Sequence, residues 1–226
     1  MTAAERRDQR RELLLDAGLE LFGTLGYANT SVRAISSAAS LNSRYFYESF
    51  ADRESLLIAV YERIVQELAL AAREATAGHD TIDEIARAGI KTTWAILTGD
   101  RRKARVLALE VVGVSERMER MRRDYRHAFA DILVSNSLSI APPGVQLRFD
   151  PVINARAMTG ASMEVLIDWI HGDVQADIEE IVEQLTQLFT AAAAAALGAF
   201  EGGLGSLQVE VLAEQQSGRL NGELGS

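Results

Sequence analysis

The chain has 226 residues, no cysteine and a formal net charge of −9. The missing cysteine excludes disulfides and thiolate metal sites and suits a reducing cytoplasm. The longest weakly polar run, residues 191–200, is too short to span a bilayer, so a cytoplasmic protein without membrane partners is expected. Residues 1–63 hold eight Lys/Arg against nine Asp/Glu, so most of the excess acid lies further along the chain. A nearly neutral N-terminal part can still present a local cationic surface to phosphates.

Alanine and leucine abound and only three prolines interrupt the chain, which favours helices. A first helix is expected over about 7–25. Leu14, Ala17, Gly18, Leu21, Phe22 and Leu25 form one stripe at helical period, and Gly26 follows as a stop. The stretch carries Asp16 and Glu20, so it does not read as a signal-peptide core. Thr30 is the expected N-cap of a short helix to about Ala39, with Val32, Ile35 and Ala39 on one side. Asn42 caps a second short helix, 43–49, anchored inward by Phe46 and Phe50. Asp52 caps a long helix over about 53–74, whose stripe is Leu57, Val60, Tyr61, Ile64 and Leu68.

The second half reads the same way. Thr81 and Glu84 have capping-box spacing and open a helix to about Leu97. Gly99-Asp100 breaks it, and a further helix is expected over 101–113. Ser115 caps the next, to about Ser137. Residues 141–144 (Ala-Pro-Pro-Gly) are the clearest loop. Asp150 and Pro151 start another helix, which ends near His171–Asp173. The last long helix is expected over 175–197. From Gly198 the composition turns to glycine, serine and glutamate, which reads as a loosely ordered tail to Ser226 with room for a short helix around 207–215. No strand pattern emerges.

Two short helices joined by a tight turn and packed on a longer one describe a helix-turn-helix, in which the second helix enters the major groove. The segment Leu13–Glu62 closely resembles the DNA-binding domain of the TetR family. The matching pieces are the Ala17/Leu21-Phe22 face, the Gly26-Tyr27 turn, the "TSVRAIS" helix and the "FYESFADRESLL" tail, in order over about fifty residues. Beyond residue 75 the resemblance is architectural. Two departures stand out. Ser40 occupies the turn position where the family usually has glycine, and Ser43-Arg44-Tyr45 opens the second short helix in place of Lys-Gly-Thr.

The resemblance implies an all-α protein of about nine helices. It comprises a three-helix DNA-binding domain (1–52, with linking helix 53–74), a dimerisation and effector-binding domain (75–197) and the tail (198–226). It also implies a homodimer on a double-stranded DNA operator, usually a repressor, with a small-molecule effector still to be identified. Position assigns the contacts. Arg44 can donate two hydrogen bonds to guanine. Tyr45 can pack on a thymine methyl or reach a phosphate, and Tyr47 matches a tyrosine whose hydroxyl meets a phosphate. Ser43 and Ser49 are small donors near the backbone. Thr30, Ser31, Arg33 and Arg53 start helices, where free N–H groups favour a phosphate. Arg6, Arg7, Arg10 and Arg11 form a basic arm, with a solvated helix end as the plainer reading.

Trp94, Met118, Met121, Tyr125, Phe129, Met158 and Met163 are candidates for an adaptable pocket, although each alone is ordinary core. The helix around 157–170 is apolar on all sides, which suggests burial against both its own core and a partner subunit. Ser162, Leu166, Trp169, Ile178 and Leu185 are the candidate dimer contacts. The basic residues Arg101, Arg102, Lys103 and Arg105 and the arginines at 117–126 read either as an attractor for an anionic effector or as a salt-bridged helix face. His79, His127 and His171 show no metal-binding spacing, and no nucleophile elbow or phosphate loop occurs, so neither an enzyme nor a cofactor is expected. Control by a protein partner instead of a small molecule remains the alternative.

Overall fold

The computed structural model describes residues 2–139 and 147–196. Among these the chain is helical throughout, with no strand. The predicted loop at 141–144 and the tail from 198, with its short helix, lie outside the described residues.

Helix α1 spans Ala3–Thr24. It starts earlier than its apolar stripe because Thr2 and Glu5 form a reciprocal capping box, at 3.1 and 2.8 Å. Its buried face is Leu14, Ala17 and Phe22, while Leu25 turns outward at the C-cap. Gly26, at φ 89°, ends the helix in the left-handed region that glycine tolerates.

Helix α2 (Val32–Ala38) is capped by Ser31, whose side chain accepts the Ala34 N–H at 3.2 Å. Thr30 is therefore not the cap. Its hydroxyl donates inward to the Gly26 carbonyl at 2.8 Å and is almost fully buried. Helix α3 (Ser43–Ser49) is capped by Asn42, and Phe46 and Phe50 point into the core. The turn between α2 and α3 closes with Leu41 N–H on the Ser36 carbonyl (2.9 Å) and Ser40 N–H on that of Ser37 (3.0 Å). That pair of bonds requires a left-handed residue between them, and Ser40 supplies it at φ 55°.

Helix α4 (Arg53–Thr76), capped by Asp52, is the central element. Leu56 through Tyr61 are buried in succession because α1 lies on one side and α5 (Ile82–Gly99) on the other. At the α1 crossing, a Cβ on Gly18 would stand 3.1 Å from side-chain carbons of Leu56 and Val60. Helix α6 (Arg101–Arg105) continues into a π-helical turn, Val106–Glu110, instead of the uniform helix expected to 113. The segment is enclosed by α1, α4 and α8, and Val106, Leu107, Ala108 and Val111 are all buried.

Helix α7 spans Glu116–Ser139 and α8 spans Pro151–His171, with Asp150 as cap and left-handed Gly172 as stop. Helix α9 (Ile178–Ala196) begins three residues after the expected start at 175. Asp177 accepts the Glu180 N–H at 2.7 Å and so sets the start. Helix α9 packs on α5, and α8 packs on α7. One continuous apolar core runs from Leu14 and Phe46 in the first helices to Leu166 and Leu185 in the last. No helix among the described residues is long and apolar enough to cross a membrane.

Candidate nucleic-acid interface

The outer face of α3 is built by elimination. Seven residues make barely two turns. Phe46, in edge contact with the Tyr47 ring and tilted against Phe50, holds one side of α3 to the core. The opposite side is left to solvent and carries Arg44, Tyr45, Tyr47 and Glu48. The Arg44 side chain is 84% exposed and Tyr47 is 61% exposed. Ser31 and Arg33 are exposed at the start of α2, and Ser43 and Ser49 are half-buried.

Two of the predicted contacts are placed elsewhere. The buried Thr30 side chain has no surface to offer a phosphate, because its hydroxyl serves the backbone of the α1–α2 turn. Arg53 is partly buried. Its guanidinium donates to the Thr30 carbonyl and lies 4.1 Å over the Tyr27 ring, so it ties α4 to that turn.

The basic arm is ordered helix, and three of its arginines lean on α3. Arg7 and Arg11 donate to the carbonyls of Glu48 and Ser49, at 3.5 and 3.3 Å, at the negative end of the α3 dipole. Arg11 also lies over the Phe50 ring, and Arg10 lies 4.5 Å over the Tyr45 ring. The Glu48 carboxylate stands between two guanidiniums, 3.2 Å from Arg44 and 3.7 Å from Arg10. The sequence held a signal for this. Arg7, Arg10 and Arg11 continue the Leu14 stripe of α1 at helical spacing.

Below this surface, the arginine group at 101–105 is spent on ties. Arg101 lies over the Trp169 ring and donates to the Ile170 carbonyl. Arg102 pairs with Glu20 of α1 and with Asp100, which holds the Asp100 carboxyl below its usual range. Lys103 pairs with Glu67 of α4. Arg105 pairs at 2.9 Å with Glu110, whose other oxygen accepts the Tyr27 N–H at 2.8 Å. The π-turn is thus bonded directly to the α1–α2 turn.

Two adjoining cavities lie between α4, α5, α7 and α8. One is about 260 Å³ and includes Tyr61, Trp94, Leu107, Tyr125, Arg126, Phe129 and Met163 in its wall. The other is about 110 Å³, reaches α9 at Phe189 and includes Met158. Thr93, Phe129, Ile132 and Ser162 line both. Burial pushes the Tyr61 hydroxyl up to about 12 and raises that of Tyr125. Arg126 makes no ion pair among the described residues. Of the seven pocket candidates, Trp94, Tyr125, Phe129, Met158 and Met163 line a cavity. Met118 is fully buried core and Met121 packs against that core, and neither lines these two cavities. The wall also holds Arg126, from the arginine group expected to attract an anionic effector or form a salt-bridged face, and two residues outside the sequence-based candidates, Tyr61 and Leu107.

Two dimer candidates, Leu166 and Leu185, are only 2% and 4% exposed within the chain itself and are spent on its own core. Ser162 lines the cavities and Trp169 is half-buried under Arg101. Ile178 is exposed, and the outward faces of the last two helices also carry Ile153, 68% exposed, and Leu188.

Residues 14–60 match a family model described as bacterial regulatory proteins, tetR family. No curated protein matches the chain. Among solved structures, the fold is similar to the fatty acid degradation regulator FadR from Bacillus halodurans, with TM-score 0.73 and 18% identity over 80% of this chain and 94% of that one. A putative TetR-family transcriptional regulator from Syntrophomonas wolfei gives 0.71 and 19% over 82% and 95%. The transcriptional regulator FadR from Bacillus subtilis in complex with stearoyl-CoA gives 0.68 and 20% over 80% and 98%.

Proposed function

We propose that this chain, which belongs to the TetR family of bacterial regulatory proteins and has the TetR fold, is a dimeric repressor released from a palindromic operator by a small-molecule effector. The observation that carries the DNA part is the exposed Arg44-Tyr45-Tyr47 face of α3, backed by buried Phe46. In this reading residues 1–52 are the reading head, 53–74 the link, and 75–197 the sensing and dimerising body. Arg44 reads guanine, Tyr45 and Tyr47 meet a methyl or phosphates, and Ser31, Arg33, Ser43 and Ser49 fix the register. One two-turn helix reads few bases. Two copies related by a two-fold axis read half-sites about 34–36 Å apart. The exposed apolar residues Ile153, Ile178 and Leu188 of α8 and α9 support pairing through those helices.

The adjoining cavities support an elongated effector that is apolar along most of its length. Arg126, which makes no ion pair among the described residues and stands beside Tyr61 and Tyr125, suits an anionic end. The stearoyl-CoA held by the Bacillus subtilis neighbour makes long-chain acyl compounds the class to test first. Leu107 couples wall to head in this scheme. It lies on the π-turn whose Glu110 holds the Tyr27 N–H. An effector that displaces Leu107 changes the head's position, and operator and effector then weaken each other's binding.

The test is selection of duplexes from a random DNA pool by the purified protein. A palindromic consensus, weakened by Arg44→Ala and Tyr47→Ala and released by a long-chain acyl compound, is the expected result. Salt-sensitive binding without a consensus overturns the specific-regulator reading. A consensus that no acyl compound releases, with another protein bound to the purified chain, favours control by a protein partner.

A further inference from the structure

We propose that Glu48 is a specificity-determining residue that works by penalising non-cognate DNA. The inference rests on the reading above, in which α3 faces the duplex. Its carboxylate is the negative group on the outer face of α3, and both guanidiniums near it, Arg44 on α3 and Arg10 on α1, are held to it. Arg53, Arg7 and Arg11 are already engaged with backbone carbonyls. The cations left to draw phosphates indiscriminately are therefore few, and Glu48 restrains two of them.

The discrimination follows from what each DNA offers in exchange. Any duplex presents phosphates, whose attraction for arginine carries no sequence information. Moving Arg44 to a phosphate gives up the Glu48 contact and leaves the carboxylate facing a polyanion. At a cognate site, guanine O6 and N7 accept two hydrogen bonds from one guanidinium, which offsets that loss. Arg10 keeps the carboxylate compensated while Arg44 moves, and its place over the Tyr45 ring keeps Tyr45 in position. Specificity then comes from weakening the wrong complexes.

Glu48→Gln keeps the side chain's size and removes its charge. The measurement is the affinity for the selected consensus duplex and for a scrambled duplex across a salt series. An exposed ion pair amounts to at most a roughly fivefold factor per subunit, and two subunits multiply. Scrambled-duplex affinity is expected to rise about 2- to 25-fold by that reckoning. Its salt dependence should steepen by about one phosphate per subunit. The consensus affinity should rise less, so the ratio falls. Glu48→Asp keeps the charge and should stay near the wild-type ratio. An unchanged scrambled-duplex affinity, or a loss confined to one base pair of the consensus, overturns the proposal. The second result would make Glu48 a direct reader of cytosine. If the wild-type protein selects no consensus, the operator reading has failed instead.

Discussion

Replacing Gly23 by alanine tests how closely the head is seated on the body. Gly23 lies in the last turns of α1, against the start of α6. A Cβ built there would stand 2.4 Å from the Arg102 Cβ and 2.7 Å from its Cα. Carbon atoms in ordinary contact stand about 3.5–4.0 Å apart, so α1 and α6 must part by roughly 1 Å. The obstacle is backbone and the first side-chain carbon, which cannot rotate away. Overpacking of this kind costs about 1–3 kcal/mol. Alanine in place of glycine within a helix returns up to about 1 kcal/mol. The net loss is about 1 kcal/mol, which lowers the unfolding midpoint of a chain this size by about 2–4 °C. Gly89→Ala in α5 is the control, because its methyl would meet only the Thr76 Cγ2, at 3.4 Å. That variant keeps the helix gain and should melt about 2–4 °C higher. Both are read by thermal unfolding at one fixed protein concentration. A Gly23→Ala protein as stable as the Gly89→Ala one refutes the close α1–α6 seating.

Three other outcomes are expected. Ser40→Gly relieves a left-handed serine that costs roughly 1–2 kcal/mol, less about 0.4–1 for the freer unfolded chain, so urea unfolding should show a gain of about 0.5–1 kcal/mol. Glu110→Ala leaves the Tyr27 N–H and Arg105 without their acceptor and should lower stability by about 1–3 kcal/mol in the same assay. Between pH 10.0 and about 12 the folded chain keeps the Tyr61 proton that the unfolded chain releases, so stability falls as pH rises through that window. Tyr61→Phe should remove that part of the fall, on the order of 1–3 kcal/mol, in denaturation curves taken across the range.

Helix order and most helix starts were legible in the sequence because a cap acts within three residues of itself. Asn42, Asp52, Thr81 and Asp150 cap the helices that local chemistry assigns to them. The exceptions are also local. Thr30 and Ser31 are both good caps by type, and the buried carbonyls of Leu21 and Gly26 claim the threonine hydroxyl. Ser40 was legible as a left-handed residue through the family resemblance, since it stands where the family usually has glycine.

What each exposed or buried side chain meets could not be read the same way, because its partner lies tens of residues away. Arg44 and Arg53 both begin a helix beside the expected DNA surface, yet one is free to leave Glu48 while the other is locked over Tyr27. Leu166 and Leu185 look like the rest of an apolar stripe until α5 and α7 are packed beside them. The adjoining cavities exist only because four helices leave a gap where Phe129 and Ile132 approach Thr93 and Ser162. The sequence by itself determined the helices, their order and the helix-turn-helix, since periodicity, capping and turn geometry are short-range. The tertiary structure decided which charges are spent, which apolar residues are interior and where the cavities lie, because these depend on surfaces that meet only when the chain is packed.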